Sequence, residues 1–255
     1  MNDELQKLMA RVESQTGYPV SITGDAEMST HSRMVAATPA QPVHAVFVTP
    51  KQERFGDYLV ALQCAMLLAK WAEPGKVADF TIRSDKRDYV AEKISKKIEG
   101  RGLDAASSAQ YAQMIVRSLL QQLNSLPLQM LSIEYLRESC PALSASQGGL
   151  SGRQELQDMS KVLAKEIKDF SPAEIYERNV AMNAAFALFW SRLAGDSVCA
   201  LPYKVMGYAA KGERLLAAYD AIDKSSPARH RAVVDAWAAE LKMQNWYEWK
   251  ARSPS

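Results

Sequence analysis

Between Leu59 and Ala69 the chain reads LVALQCAMLLA, and Gln63 is the one polar side chain in the run. Wound as a helix, such a segment has no polar face to give to water, so other elements must enclose it on all sides. What precedes it is short and alternating. "YPVSIT" (18–23), "RMVAAT" (33–38) and "VHAVFVT" (43–49) carry the period of strands, and "PAQP" between the last two predicts a hairpin. In the third strand Val43, Ala45 and Phe47 share one face, and His44, Val46 and Val48 the other. Residues 3–15 read as a helix, with Leu5, Leu8, Met9 and Val12 on one side, Asn2 as N-cap, and Gly17 before Tyr18-Pro19 as its stop.

After Pro50 the alternating pattern does not return, and helical spacing predicts helices at about 54–72, 85–99, 105–124, 127–138, 153–169, 172–193, 212–223 and 227–246. "SPAE" (171–174) has the form of a capping box, with Ser171 as cap, Pro172 as first residue and Glu174 reaching back. Ser226 and Pro227 open the last helix in the same way. "EPG" (73–75) and "GRG" (100–102) end helices. The segment "PALSASQGGLSG" (141–152) is small and polar and reads as the longest loop. Three strands are too few to bury a core alone. The expected fold is therefore α+β and predominantly α, a small three-stranded N-terminal sheet packed on a helical body. It forms a single domain over 1–255, with possible sub-lobes at 1–140 and 153–255.

Several chemistries are excluded by pattern. Neither G-x-x-x-x-G-K-[ST] nor G-x-G-x-x-G occurs, so no glycine-rich phosphate cradle is expected. "GGLSGR" places Arg153 where a nucleophile elbow needs its second glycine. His31, His44 and His230 supply neither H-E-x-x-H nor Glu-x-x-His. Cys64, Cys140 and Cys199 are far apart and form no C-x-x-C pair, which fits a reducing, cytoplasmic interior. The first residues, "MNDELQKLMARVES", lack the basic start and apolar block of a signal peptide, and no run reaches the length of a membrane span. A net charge of +2 points to no partner by itself. No cofactor and no metal are expected.

The stretch Asp57-Tyr58-Leu59-Val60-Ala61-Leu62-Gln63-Cys64-Ala65-Met66-Leu67-Leu68 aligns with the pattern [YF]-x-[IVL]-A-H-E-x-x-H-x-[LI]. With the order helix, strands, hairpin and apolar helix, it resembles the core of zincin metallopeptidases, in particular the bacterial regulatory zinc-peptidase-like proteins of the ImmA/IrrE type. The likeness covers about the first third of the chain, and "ERNVAMNAAFALFWSRL" (177–193) is faintly similar to that family's downstream helix. The resemblance implies a substrate-binding edge strand before the helix, here 43–49. It puts Leu62 and Met66 at the two histidine positions and Gln63 at the glutamate position. An isobutyl group and a thioether cannot hold zinc, and a carboxamide does not titrate. The implied protein is a non-catalytic relative that grips a peptide or protein partner in the old cleft by strand addition, with a regulatory role. On the bland reading, Gln63 is a core amide satisfied by a backbone or strand-edge partner.

Other candidates carry the same pair of readings. His31 and His44 could share a metal, or be one surface and one packed histidine. Residues 83–101 hold seven basic and four acidic side chains around Val90, Ile94 and Ile98. That face could hold nucleic-acid phosphates, or could be a solvated helix laced with pairs such as Glu92–Lys96. Trp246 and Trp249 in "WYEW" are either a docking anchor or the closing contact of the last helix. Ala181, Ala184, Ala185 and Ala187 admit a close neighbouring helix, with Asn179 and Asn183 as a polar pocket wall. Glu174 and Glu177 suit a helix N-terminus. The alternatives to a binding module are a hydrolase with an unrecognised site, drawing on Tyr58, His44 and later acids, and a nucleic-acid-binding accessory protein.

Overall fold

The structure, a computed structural model, describes residues 2–28, 30–72, 78–99 and 103–251. The chain is α+β and mostly helical, with the expected three-stranded sheet near its start. The described residues fall into two compact units. One lies within Met1–Val77, Leu128–Glu155 and Ala251–Ser255, the other within Ala78–Pro127 and Leu156–Lys250. The division therefore does not run along the 141–152 segment. Among the described residues no helix is long and apolar enough to cross a membrane.

In the first unit, helix α1 (Asp3–Thr16) is capped by the Asn2 side chain, which accepts from the Glu4 N–H at 2.7 Å, and ends at Gly17 in the left-handed region at φ 79°. Strands β1 (Val20–Gly24), β2 (Ser32–Val35) and β3 (His44–Val48) follow. The sheet order is β1-β3-β2, with β1 parallel and β2 antiparallel to β3. The hairpin is thus present, but strand 43–49 is the central strand and not the edge expected from the resemblance. The chain returns from β1 past β2 and lays β3 between them, so both sides of β3 are already paired. A 3-10 turn (Pro50–Phe55) leads into α2 (Gly56–Lys70). Tyr58, Leu59, Val60, Ala61, Leu62, Cys64, Ala65, Leu67 and Leu68 of α2 are buried. As its sequence requires, α2 is enclosed by α1, β2 and β3.

The segment 141–152, expected as a loop, is helical. Helix α5 (Pro141–Leu143), a π turn (Ser144–Gly148) and α6 (Gly149–Ser160) run on from one another. Three contacts hold it. The Glu4 carboxylate accepts from the Ala142 and Leu143 N–H groups at 3.2 and 2.8 Å, covering the start of α5. Gln147 Oε1 accepts from the Tyr58 N–H at 3.1 Å. Gly148 lies so close to the Tyr58 ring that a Cβ there would sit 3.0 Å from it. Small residues read as a loop because they carry no periodicity; here they admit close packing.

In the second unit, strand β4 (Ala78–Ile82) precedes α3 (Ser84–Ile98). Helix α4 (Ala105–Ser139), which belongs to this unit only as far as Pro127, passes through that residue without a break, where two helices were expected. An interior proline costs about 3 kcal/mol, and Leu126 and Leu128 on either side of it are buried, which offsets that cost. The span 153–169 is divided: α6 ends at Ser160, a 3-10 turn (Lys161–Leu163) follows, and extended Ala164 separates it from α7 (Lys165–Phe170). Ser171 closes α7 and does not cap the next helix. Helix α8 (Ala173–Ala194) begins after Pro172 with no side-chain cap. Helices α9 (Leu201–Val205), α10 (Ala209–Asp220) and α11 (Arg229–Leu241) complete the set. The start of α11 also lacks a side-chain cap, because the Ser226 carbonyl accepts from Arg229 in a turn ahead of it.

The core of this unit is α8 against α10. The alanines of α8 admit Gly212 of α10 so closely that a Cβ at Gly212 would lie 2.7 Å from the Ala185 nitrogen. α11 is tied to α10 by Trp237 Nε1 donating to the Leu215 carbonyl at 2.8 Å. It stops at Lys242 in the left-handed region. The chain then forms β5 (Tyr247–Ala251), paired with β4, so strands do recur after Pro50. "WYEW" therefore belongs to a strand and its approach. Phe80 stacks on Tyr247 at 4.5 Å, and Asp235 accepts from the Tyr247 hydroxyl and from Trp249 Nε1. Trp246 and Trp249 are half-buried. The helix ends expected at 73–75 and 100–102 lie outside the described residues.

Gly212→Ala should lower the unfolding free energy by about 1–3 kcal/mol in urea titration, because the helices must separate. Gly149→Ala, with nothing within 4 Å, should be neutral or stabilise by up to about 1 kcal/mol.

Candidate functional site

The residues singled out on α2 and β3 lie in the first unit, where hydrogen bonds engage His44 and Gln63. Leu62 is buried at 5% exposure. Gln63 and Met66, nearly one turn apart, are half-buried. Gln63 Nε2 donates to Ser32 Oγ on β2 at 2.9 Å, so the amide ties the apolar helix to the sheet. His44 is fully buried on β3. Its Nδ1 accepts from the Ala37 N–H at 2.9 Å, which places the ring proton on Nε2, 2.9 Å from Thr16 Oγ1. The rings of Tyr18 and Trp71 stand edge-on to it. Both nitrogens of His44 are engaged, and among the described residues no group of three or more His, Cys, Asp or Glu is placed to hold a metal ion. Tyr58 is buried, and burial together with the Glu155 charge pushes its phenol well above the ordinary tyrosine range. Burial and neighbouring Cys140 push the Cys64 thiol up to about 12, and burial also raises Cys140.

Asn179 and Asn183 belong to the second unit. Asn183 is buried and accepts from Gln122 Nε2, while its own Nδ2 donates to Asn179 Oδ1 at 3.4 Å. The amides form a ladder between α4 and α8.

A better candidate is a cavity of about 520 Å³ in the second unit, between α3, the first turn of α8 and the residues leading into β5. Lys86, Tyr89, Val90, Lys93, Ile94 and Lys97 of α3 line it, at spacings that place them on one helix face. Pro172, Ala173, Glu174, Ile175 and Arg178 contribute the start of α8, and Asn245 and Trp246 the approach to β5. Four cations thus share the cavity with one carboxylate and two aromatic rings.

The charges on α3 are sorted by face. Arg83 pairs with Asp85 at 3.3 Å, Arg87 with Asp88 at 2.8 Å, and Lys96 with Glu92 at 2.6 Å. These residues do not line the cavity. The helix's first three acids are neutralised away from it, and Lys86, Lys93 and Lys97 remain as its basic face. Lys93 Nζ lies 4.5 Å from the Tyr89 ring centroid, and Tyr89 raises its pKa, so the ammonium stays charged. Arg178 is fixed: Nε donates to the Leu241 carbonyl at 2.8 Å, the guanidinium lies 5.0 Å from the Trp246 ring, and Glu174 is 3.7 Å away. Burial lowers its pKa while Glu174 and Glu177 hold it up. The uncapped first turn of α8 adds its positive dipole end. A second cavity of about 470 Å³ shares Arg178 and Glu174, but it is lined by two ion pairs, Lys211 with Glu177 at 2.8 Å and Arg214 with Glu240 at 3.6 Å, and by Lys242.

Sequence reasoning found the basic stretch and the aromatic cluster without joining them. The signal available was the spacing of 86, 93 and 97 on one face, with each acid offset to another.

His44→Ala should cost about 2–4 kcal/mol in denaturant unfolding, since it strands the buried Ala37 N–H and leaves a void; half-exposed Gln63→Ala should cost about 1 kcal/mol or less. In native protein, Cys64 and Cys140 should react with a thiol reagent at least tenfold more slowly than partly exposed Cys199. Comparison with known protein families, with characterised proteins and with solved structures gives no match.

Proposed function

We propose that this protein acts by binding and not by catalysis, and that its ligand presents negative charge to the cavity between α3 and α8. The observation that supports this is the sorting of charge on α3. A merely solvated helix gains by pairing its ions on every face, whereas here the ion pairs of α3 lie off the cavity, and its three lysines face the cavity with Arg178 against the single carboxylate of Glu174. A half-enclosed site with apolar walls strengthens attraction to an anion relative to open water. The zincin-like reading fits a binding role, because the residue types at Leu62, Gln63 and Met66 could neither hold zinc nor activate water. Peptide addition at β3 is not part of the proposal, since both sides of that strand are paired. A regulatory role would follow if the ligand belongs to a partner macromolecule.

Titration with inorganic polyphosphate, followed by calorimetry, tests the reading. Lys93→Glu combined with Lys97→Glu should weaken binding at least tenfold and flatten its salt dependence. Lys96→Glu, whose lysine is paired with Glu92 off the cavity, should change affinity less than threefold. Equal losses in both variants would overturn the reading.

A further inference from the structure

The cations of the cavity suit any anion, but their arrangement and the aromatic side chains narrow the choice. Lys93 and Lys97 are about 6 Å apart along the axis of α3, and Lys86 lies about 10 Å further back. The charges form a line, which matches a chain of phosphates better than one compact ion. Within that line stands Tyr89, which is 55% exposed. A tyrosine of that exposure contributes little to packing, and its ring lies beside the basic row. Val90 and Ile94 give the wall an apolar patch, and half-buried Trp246 adds a second ring.

We propose that the ligand is single-stranded nucleic acid, with its phosphates along the row of Lys86, Lys93 and Lys97 and a base stacked on Tyr89. The inference rests on the anion-binding reading above and gives it a substrate class. Lines of cations interleaved with aromatic side chains hold single strands because every base has a π-face, whatever the sequence. A duplex keeps its bases stacked inside and presents none to Tyr89. An acidic peptide would meet the lysines but leave the ring and the apolar wall without a matching group.

The test uses the full chain and three probes in fluorescence anisotropy and competition: a labelled oligothymidylate of about eight nucleotides, polyphosphate of matched charge, and an oligoglutamate peptide. Tyr89→Ala should weaken the oligonucleotide by about 5- to 100-fold and leave polyphosphate within twofold, while Tyr89→Phe should retain oligonucleotide binding. Lys93→Glu with Lys97→Glu should reduce both. Circular dichroism checks folding, and the exposure of Tyr89 makes loss of fold unexpected. If Tyr89→Ala changes neither ligand, or oligoglutamate binds more tightly than the oligonucleotide, the nucleic-acid inference is overturned and the anion site stands. If folded wild-type protein binds none of the three, the anion-binding reading itself fails.

Discussion

A helix without a polar face cannot lie on a surface, and α2 imposes that constraint on the first unit. Nine of its fifteen residues are buried. At about 25 cal/mol per Å² of apolar area removed from water, enclosing such a segment is a dominant stabilising term. The partners are those the chain can supply locally: α1 before it, β2 and β3 of the sheet, and the π turn at Ser144–Gly148. Several polar groups in this surround are matched by specific partners. Gln63 meets Ser32, His44 meets Ala37 and Thr16, and the Tyr58 N–H meets Gln147. A polar atom enclosed with apolar neighbours is costly unless paired, so these bonds specify the register in which sheet, helix and turn come together.

Much of the first unit was legible because it follows simple periods. Three strands, the hairpin, Asn2 as a cap and Gly17 as a stop all follow from local rules. Sheet order did not, since alternation says where a strand is and not which neighbours it takes. β3 therefore emerged as the centre and not the edge. The π turn and Pro127 were misread for a related reason. Local composition argues for breaks there, and tertiary contacts override it: Gly148 is demanded by the Tyr58 ring, and the proline sits between buried leucines. β5 lies just past the helix expected at 227–246 and within no expected strand, because aromatic residues suit either state; only the alternation of Tyr247, Glu248 and Trp249 marks it as a strand.

The candidate site was legible in parts. The basic run on α3 and the tryptophans near residue 246 stand out, but the cavity needs residues from three separated stretches, and no local pattern reports that they meet. More instructive is the ambiguity of a mixed-charge helix. Interleaved acids and bases can mean a solvated face or a polarised one, and composition is the same for both. Geometry separates them here, because Asp85, Asp88 and Glu92 are held by Arg83, Arg87 and Lys96.

Arg178 has a place in the walls of two cavities at once, with Glu174 beside it in both. One guanidinium cannot give its full field to an incoming anion and to Glu174 together. Because Arg178 Nε is held by the Leu241 carbonyl and the guanidinium lies against the Trp246 ring, it offers the α3 side a cation in a set position, and the same side chain counts toward the wall of both hollows.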